Sequence, residues 1–415
     1  MNKLSIGIIL KEGYTPELGG GFSYYDSVVE AIDNYEFHTD LEFRFISFHS
    51  IPSNKFKKKI DFINIQDYFS WNEKLSFRLT KLLKKYSFFY RINVVRALKK
   101  KVQSRERKHL RNALIAQKVD IIYNIVPFTQ FIDYPFVETH WDLGHMSMFA
   151  FPEVTMNGVF ETRDKYYSEW ISKAFAIFCE SNAGKEELLR YKPMNPDRVF
   201  VVPMFAGKIT ALNVAPGEIN SILSKYSLEA GRFFFYPAQF WSHKNHYGLL
   251  KAFRIFVDQN PGTKLVFTGS DKGNLSYIKS VINALKLDDE VIITGFVSNE
   301  TLFAFYKTAI SLVMPSYLGP TNLPLLEAQA IGCPVICNDF KGHREMLASG
   351  NNLFVKPGDH EELCNAMLSM YGGASPTDGM VNGVFNRENC MKSIENAFLS
   401  LTSARKLFGW NFKQY

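Results

Sequence analysis

The feature that most constrains the fold is an alternation of short apolar runs with helix-like segments, which occurs twice along the 415 residues. In the first half, the strand-like runs are Leu4–Leu10, Leu41–Phe48, Asp120–Ile125, Pro135–Glu138 and Ala174–Cys179. In the second half, they are Phe233–Tyr236, Lys264–Thr268, Glu290–Thr294, Ile310–Met314 and Pro334–Cys337. The alternation predicts an α/β chain with parallel sheets that are covered by helices on both faces.

Two such series predict two doubly wound, Rossmann-like domains, which agrees with the length of the chain. We place the first domain at residues 1–210 and the second at residues 211–385, because the pattern lapses between Pro203 and Pro216. The final segment, 386–415, contains a helix-like pattern over Arg387–Leu407. We expect this helix to pack back on the first domain.

The net charge of +7 is concentrated in one segment of the first domain, a basic insert at residues 54–112. The insert has 18 Lys and Arg and 4 Asp and Glu, a net charge of +14, so the rest of the chain has 30 and 37, a net charge of −7. Apolar residues follow a helical period within it, with basic residues between them: Leu75, Leu79, Leu82, Leu83, Tyr86 and Tyr90. Such a helix suits an anionic membrane surface. A solvated helix packed on the first domain is the alternative interpretation.

Several classes of protein are disfavoured by what the sequence lacks. No run approaches 18 apolar residues, as a transmembrane helix needs, and the first apolar run is a buried strand rather than a signal peptide. The five cysteines form no C-x-x-C pair, which argues against zinc and for reduced thiols in the cytoplasm. No recognised nucleic-acid module accompanies the basic insert, so no nucleic-acid partner is expected.

Ligands of doubly wound sheets bind beyond the carboxyl ends of the strands, so the segments after the strands are the candidate sites. The first is Gly19-Gly20-Gly21, which precedes a helix-like segment. Glycines let the backbone approach a ligand closely, and a helix N-terminus attracts phosphate. A plain flexible turn is the alternative.

Two loops of the second half contain further candidates. Lys244 lies in a polar and aromatic loop after Phe233–Tyr236, where a lysine can neutralise phosphate or can simply be a surface residue. After Ile310–Met314, Thr321 or Asn322 could cap a helix that starts near Pro324, with backbone amides facing an anion. Glu327 in the first turn of this helix either binds a ligand or complements the helix dipole.

A polar segment of the first half, Thr139–His145, follows the run Pro135–Glu138. It contains two histidines and one aspartate, namely His140, Asp142 and His145. These side chains could supply a base or orient a hydroxyl group. They could also be structural polar residues or metal ligands, although the sequence places no further histidine or carboxylate with them in this segment.

Together and in order, these features resemble a retaining glycosyltransferase of family four, which has the two-domain GT-B fold with a central cleft. The resemblance covers about Phe233 to Met367 and rests on three motifs. They are Gly319-Pro320-Thr321-Asn322-Leu323-Pro324-Leu325-Leu326-Glu327-Ala328, Gly332-Cys333-Pro334-Val335, and Glu345 with Leu353-Phe354-Val355-Lys356-Pro357-Gly358-Asp359. The first half is similar through its glycines, Asp142 and Glu180-Ser181-Asn182-Ala183.

The resemblance implies roles for particular residues. Glu327 is similar to the second glutamate of the family's pair, which holds the donor ribose, and Lys244 to the lysine that binds the donor diphosphate. The donor-binding set that the resemblance implies is Gly20, Gly21, Gln239, Lys244, Asn245, Gly319, Thr321, Asn322, Leu323 and Glu327. His140, Asp142, His145, Lys244 and Glu327 are the implied catalytic residues.

Two positions depart from the family pattern. Gly319 stands where the first glutamate of the pair is usual, and Gln239 where an arginine usually precedes the lysine by five positions. This pairing resembles a subgroup associated with surface-polysaccharide synthesis.

The resemblance implies transfer of a sugar from a nucleotide-sugar to a hydroxyl of a glycan or lipid-linked acceptor. It also implies that no metal and no other cofactor takes part. A non-catalytic nucleotide-sugar-binding subunit and a sugar-nucleotide epimerase are the alternatives. We expect a cytoplasmic protein, peripheral at the inner face of the membrane if the basic insert binds lipid.

Overall fold

The structure of the protein is a computed structural model. It describes residues 3–11, 13–16, 19–48, 56–63, 107–127, 133–347, 351–371, 373 and 383–408. Within these residues the chain forms two parallel sheets.

The first sheet is built from the N-terminal half of the chain. Its strands are β1 (Leu4–Ile9), β2 (Leu41–Ser47), β3 (Ile60–Phe62), β4 (Ile121–Asn124), β5 (Phe136–His140), β6 (Ala176–Cys179) and β7 (Val199–Val201). They lie in the order β3-β2-β1-β4-β5-β6-β7 and all pair in parallel. The order reverses between β1 and β4, so a crevice for ligands opens at their carboxyl ends.

The second sheet follows in the C-terminal half. Its strands are β8 (Phe233–Pro237), β9 (Lys264–Thr268), β10 (Val291–Gly295), β11 (Leu312–Met314), β12 (Val335–Asn338) and β13 (Asn352–Val355). They lie in the order β10-β9-β8-β11-β12-β13, again with parallel pairing. Here the order reverses between β8 and β11, whose following loops contain Lys244 and Asn322.

The described helices connect these strands. The helices of the first half are α1 (Gly20–Asn34), α2 (Gly144–Ser147), α3 (Pro152–Thr155), α4 (Val159–Glu169) and α5 (Asn182–Tyr191). Those that follow are α6 (Pro216–Lys225), α7 (His246–Gln259), α8 (Leu275–Ala284), α9 (Asn299–Thr308), α10 (Leu323–Ile331), α11 (Lys341–Met346), α12 (His360–Met370) and α13 (Arg387–Phe408). Residues 107–116 are also helical.

Aromatic side chains fill much of the core, which accounts for the high Phe content of the chain. In β8, three successive phenylalanines, Phe233, Phe234 and Phe235, are fully buried because helices cover both faces of the sheet. Phe235 meets Phe305 edge to face at 5.4 Å between ring centroids, and Phe234 meets Phe256 in the same way at 5.1 Å. Edge-to-face pairs of this kind stabilise a core beyond the area that they bury.

The last helix, α13, packs against the first sheet although it follows the second sheet in the chain. Its Phe398 meets the rings of Phe43, Tyr123 and Phe178 at 5.4, 5.9 and 5.8 Å. Tyr35 also donates a hydrogen bond to Glu395 at 3.4 Å. The C-terminal helix therefore ties the end of the chain to the N-terminal sheet.

The ten strand-like runs predicted from the sequence all correspond to strands, with ends that differ by at most two residues. The short strands β3, β7 and β13 were not predicted. The predicted boundary at residues 210–211 falls between β7 and β8. Most of the basic insert, including the helical pattern from Leu75 to Tyr90, lies outside the described residues.

Within the described part of the chain, no helix combines the length and the apolar character that crossing a membrane requires. All five cysteines are buried as free thiols.

Candidate active site

The carboxyl ends of the two sheets meet, and side chains from one contact those of the other. Thr321, in the loop after β11, donates to Glu180, which follows β6, at 2.6 Å between the two oxygens. His243, after β8, contacts Glu153 of α3 at 2.6 Å through its Nδ1 atom. The candidate site is therefore a cleft between the two halves of the chain.

Lys244 lies at this cleft, at the end of the 3-10 turn Ser242–Lys244 that connects β8 to α7. Its Nζ atom donates to Oδ1 of Asn322 at 3.4 Å. Burial lowers the pKa of Lys244 to about 8, while the charges of Asp142 and Glu153 act to raise it. Both carboxylates belong to the first half of the chain, whereas Asn322 belongs to the second. The ammonium group of Lys244 therefore interacts with both sides of the cleft.

Asn245 turns the chain sharply after Lys244. Its backbone is left-handed, with φ 57°, and its side-chain oxygen accepts the N–H of Gly248 at 3.0 Å. Asparagine tolerates this conformation better than most residues and is also a preferred helix cap. The oxygen of the predicted donor-binding residue Asn245 is thus used to start α7.

The loop after β11 brings Gly319, Thr321, Asn322 and Leu323 to the same cleft. Gly319 has φ 100°, a conformation that favours glycine, and a side chain there would lie 2.9 Å from the carbonyl oxygen of Thr321. A glutamate at position 319 would therefore need a different loop backbone. Asn322 precedes α10 but does not cap it through its side chain.

Asn322 is held from behind by a buried histidine. Its Nδ2 atom lies 3.1 Å from Nε2 of His343 and 3.3 Å from the carbonyl oxygen of Gly319. The amide oxygen is left to face Lys244. Thus the loop after β11 presents a fixed acceptor to the lysine of the loop after β8.

Glu327 lies one turn into α10. The hydroxyl group of Tyr306 donates to its Oε2 atom at 3.1 Å, and burial raises the pKa of Glu327 to about 7. A side chain at Gly207 would come within 2.9 Å of Oε1, so the connection between the two sheets passes close to this carboxylate. The role of Glu327 toward the donor ribose stays a prediction.

The glycines before α1 face the second half of the chain. Gly19 has φ 79°, and a side chain there would meet the amide of Gln239 at 3.0 Å. A side chain at Gly21 would meet the Tyr14 hydroxyl at 2.7 Å and Trp141 at 3.0 Å, whereas Gly20 faces open space. The backbone at the start of α1 thus lies beside the Gln239 loop, and its role toward a phosphate stays a prediction.

Gln239 stands where an arginine is usual in the family that the chain resembles. Its Nε2 atom donates to the Ser270 hydroxyl at 3.2 Å, and its Oε1 atom accepts the indole N–H of Trp241 at 3.1 Å. These bonds hold the neutral amide in place beside the glycine turn. The position therefore contributes hydrogen bonds rather than a positive charge.

Asp142 is the carboxylate that the first half presents to the cleft, with 28% of its side chain exposed. Its Oδ1 atom pairs with Arg163 of α4 at 2.5 Å and accepts the N–H of Gly144 at 2.8 Å. Burial acts to raise the pKa of Asp142, but the charge of Arg163 and the N–H of Gly144 outweigh it, so the pKa is lowered. The group is ionised at neutral pH.

His140 and His145 are enclosed, with 1% and 0% of their surfaces exposed. The hydroxyl group of Tyr167 donates to the carbonyl oxygen of Asp142 at 2.8 Å, so Nδ1–H of His140 must donate to that hydroxyl at 2.9 Å. His145 accepts the Nε–H of Arg163 at 3.3 Å and stacks on Tyr167. Burial lowers the pKa of both histidines to about 4.

The structure thus brings the three predicted residues of this segment together in different roles. Asp142 faces the cleft, whereas His140 and His145 lie behind Asp142. The two histidines hold Tyr167 and Arg163, which in turn bond to Asp142. The segment is also more regular than predicted, because β5 continues through Thr139 and His140.

Glu153, Glu180 and His243 belong to the site but were not among the predicted residues. Burial raises the pKa of Glu180 to about 7, and its carboxylate accepts from Thr321. The position of Glu180 directly after a predicted strand could have indicated it, as could that of His243 beside Lys244. Glu153 carries no such signal, because α3 follows no strand directly.

A second contact between the halves lies next to the site. Glu345 of α11 accepts the backbone N–H groups of Asn182 and Ala183 at 2.8 and 3.0 Å, at the N-terminus of α5. Lys341 pairs with Glu186 at 2.6 Å. A carboxylate at a helix N-terminus is favourable, so these contacts stabilise the arrangement that brings the two halves together.

No group of three or more His, Cys, Asp or Glu side chains that could hold a metal ion occurs among the described residues. Lys244 and the first backbone amides of α1 and α10 are positive groups that lie at the cleft.

Comparison with known proteins identifies the second half. Residues 222–374, which contain Lys244, Asn322 and Glu327, match the family of glycosyl transferases group 1. The matched residues include the whole of the second sheet. The predictions of a glycosyltransferase and of the GT-B fold are therefore confirmed.

Two of the relatives to which the chain is similar are O-antigen chain mannosyltransferases. O-antigen chain mannosyltransferase B of Escherichia coli is 24% identical over 260 residues, which are 61% of this chain and 68% of that protein. O-antigen chain mannosyltransferase RfbU of Salmonella typhimurium is 29% identical over 130 residues, which are 31% of this chain and 36% of that protein. The second match thus spans well under half of the relative's length.

Solved structures share the fold over nearly the whole glycosyltransferase chain. HepE of Anabaena, in complex with UDP and glucose, has a TM-score of 0.63 at 15% identity and covers 96% of this chain and 100% of its own. Sucrose-phosphate synthase of Thermosynechococcus elongatus has a TM-score of 0.63 at 17% identity, and the match covers 97% of this chain and 99% of that chain.

Proposed function

We propose that the protein is a retaining hexosyltransferase of surface-polysaccharide synthesis. It moves a sugar from a nucleotide-sugar donor to a hydroxyl of a glycan or lipid-linked acceptor. The match to group 1 glycosyltransferases and the O-antigen relatives support the reaction class and the pathway. The retention of configuration rests on the resemblance of the motifs.

The observation that carries the proposal is the position of Lys244 between Asn322 and Asp142. An ammonium group at the meeting point of two sheet ends is suited to a diphosphate, because charge develops there as the sugar leaves. The amides at the start of α10 and the glycine turn of α1 lie on either side. Removing one such donor from a dry site costs about 3–4 kcal/mol of transition-state stabilisation.

The acceptor hydroxyl needs a partner on the other side of the cleft. Asp142, which is ionised and partly exposed, can accept its hydrogen bond and orient it toward the sugar. The hydroxyl proton then passes to an oxygen of the departing diphosphate, while the new bond forms on the face from which the diphosphate leaves. His140 and His145, both neutral and buried, keep Tyr167 and Arg163 in position around Asp142.

The reaction in this proposal proceeds without a metal ion or other cofactor, since Lys244 and the backbone amides supply positive charge to the diphosphate. Glu327, held by Tyr306, binds the ribose of the donor. The donor-binding set is completed by Gly20, Gly21, Gln239, Asn245, Gly319, Thr321 and Leu323.

The basic insert suggests where the acceptor is met. We propose that it attracts the cytoplasmic protein to an anionic membrane face, where a lipid-linked acceptor would lie. Flotation with anionic and with neutral liposomes tests this. Equal recovery in both would contradict the electrostatic part of the proposal.

The function itself is tested by incubating the purified protein with nucleotide-sugars and an extract of lipid-linked glycans. Transfer with the anomeric configuration of the donor retained is the expected result. A product that forms from the donor without any acceptor would indicate an epimerase instead. No turnover of any nucleotide-sugar, together with specific binding of one, would indicate a binding subunit.

A further inference from the structure

His343 lies behind the donor side of the cleft. Its hydrogen-bond partners, Asn322 and Asn338, both belong to the second half of the chain. It sits on α11, is fully buried, and connects β12 to the loop after β11. Its Nδ1 atom lies 2.8 Å from the carbonyl oxygen of Asn338. A carbonyl oxygen only accepts, so Nδ1 carries the hydrogen and Nε2 presents a lone pair.

The lone pair decides which way the Asn322 amide points. The Nδ2 atom of Asn322 lies 3.1 Å from Nε2 of His343 and must donate to it. The Oδ1 atom is consequently directed at Nζ of Lys244, 3.4 Å away. With the amide reversed, an N–H group would face the ammonium and repel it.

The histidine has a fixed support of its own. The Nδ2 atom of Asn338 donates to the carbonyl oxygens of Pro315 and Ser316 at 3.0 and 3.1 Å, which holds the start of the donor loop. Burial lowers the pKa of His343 to about 4, and the charge of Lys244 acts in the same direction, whereas the hydrogen bond to the Asn338 carbonyl and the charge of Asp339 act against it. The neutral form with a free Nε2 lone pair therefore persists at neutral pH.

We infer that His343 is a positioning residue, which acts through Asn322 to hold the Lys244 ammonium group where the donor diphosphate binds. This inference rests on the proposed function, because it assigns Lys244 to the diphosphate. His343 lies outside the predicted site and touches no substrate. Its effect passes through the amide of Asn322 to the ammonium group of Lys244.

The test compares ligands with and without phosphates. Affinities of the full chain for ADP, GDP, UDP and CDP, and for the four corresponding nucleosides, are measured in wild type and in His343→Leu. For the diphosphate that binds wild type best, the variant should bind about tenfold more weakly, and for its nucleoside within about twofold. Equal weakening for both ligands would show a general distortion of the site and overturn the inference.

Three further variants separate positioning from packing. His343→Gln, which can present an acceptor to Asn322, should bind the diphosphate within about threefold of wild type. Met346→Ala, a buried residue of the same helix, should lower the melting temperature but leave the affinity of the folded protein within about twofold. In a Lys244→Ala background, His343→Leu should change the affinity by less than about twofold. An effect that persists in that background would overturn the inference.

Two remaining outcomes are also informative. If His343→Leu does not fold, His343→Gln is compared with His343→Asn, whose shorter side chain does not reach Asn322. Equal affinity of the two for the diphosphate would overturn the inference. If wild type binds none of the nucleoside diphosphates, the proposed function fails and this inference with it, whereas the other contrary outcomes leave the proposed function standing.

Discussion

At the carboxyl end of the second sheet the polar groups of the site come from loops, whereas at that of the first sheet they are packed beneath a helix. Lys244 and Asn322 each lie in a loop that directly follows a strand, and their contact at 3.4 Å is a long hydrogen bond, of the kind that often tightens when a ligand binds. His140 and His145 are instead sealed under α4 by Tyr167 and Arg163.

The difference shows how the two sides divide the work of the proposed reaction. The second sheet offers a positive group to an anionic ligand, and the first offers the ionised carboxylate of Asp142, which is held by Arg163 and by the N–H of Gly144. The donor side is therefore expected to govern donor affinity, and the acceptor side to govern the rate with bound donor.

The largest effect is expected from Lys244→Ala. Loss of the ammonium group should lower sugar transfer by about 10²–10³-fold, because no other side chain in the described cleft replaces its charge. The melting temperature should stay within about 2 °C, since the lysine is not part of the core. Rates of transfer and thermal unfolding measure both. Lys279→Ala, an exposed lysine of α8, is the control. Turnover like that of wild type in Lys244→Ala would contradict the assignment of Lys244 to the donor diphosphate.

The next largest effect is expected from Asp142→Asn. The change keeps the shape but removes the charge that pairs with Arg163 and acts on the acceptor hydroxyl. We expect transfer to fall by about 10–100-fold with donor affinity within about threefold, so the loss should appear in kcat rather than in donor KM. Steady-state kinetics with varied donor separates the two. A loss confined to donor KM would break the proposed division.

Two substitutions of His140 show which of its ring nitrogens matters for transfer. Asparagine can replace the Nδ1–H donor of His140 toward Tyr167, whereas glutamine places its amide near the position of Nε2. His140→Asn should therefore retain transfer within about fivefold of wild type and His140→Gln should lose more, by about tenfold. If His140→Gln were the more active variant, Nε2 would be the working atom and His140 a catalytic residue.

The smallest effect concerns stability and pH. Burial lowers the pKa of His145 to about 4, so the unfolded state binds more protons between about pH 6.5 and pH 4. The contribution of His145 is complete above pH 6.5 and is lost as the pH falls toward 4. The free energy of unfolding of wild type should fall relative to that of His145→Phe across this window, as urea titrations would show. Parallel curves would contradict enclosure of a neutral His145.

Much of the second half could be predicted from the sequence because its signals are local. Strands β8 and β11 are continuous apolar runs, and the loops after them contain the lysine, the glycine and the prolines that define the site. The grouping of Lys244, Asn322 and Glu327 in one donor-binding set came from the resemblance of their motifs to the family.

The enclosure of His140 and His145 could not be predicted, because it depends on Arg163 and Tyr167, which α4 brings back over β5. The same holds for His343, whose importance lies in its tertiary contact with Asn322 rather than in any motif. Strands β3, β7 and β13 were missed because they lie at the edges of the sheets and are only partly buried, so their apolar signal is weaker than that of the central strands.

The central claim is that a nucleoside diphosphate binds at Lys244, and a thermal-shift panel of nucleoside diphosphates and nucleotide-sugars tests it most directly. One diphosphate should raise the melting temperature of wild type, and Lys244→Ala should lose most of that shift while keeping the melting temperature of the free protein. An equal shift in the variant, or none with any nucleotide in wild type, would contradict the claim.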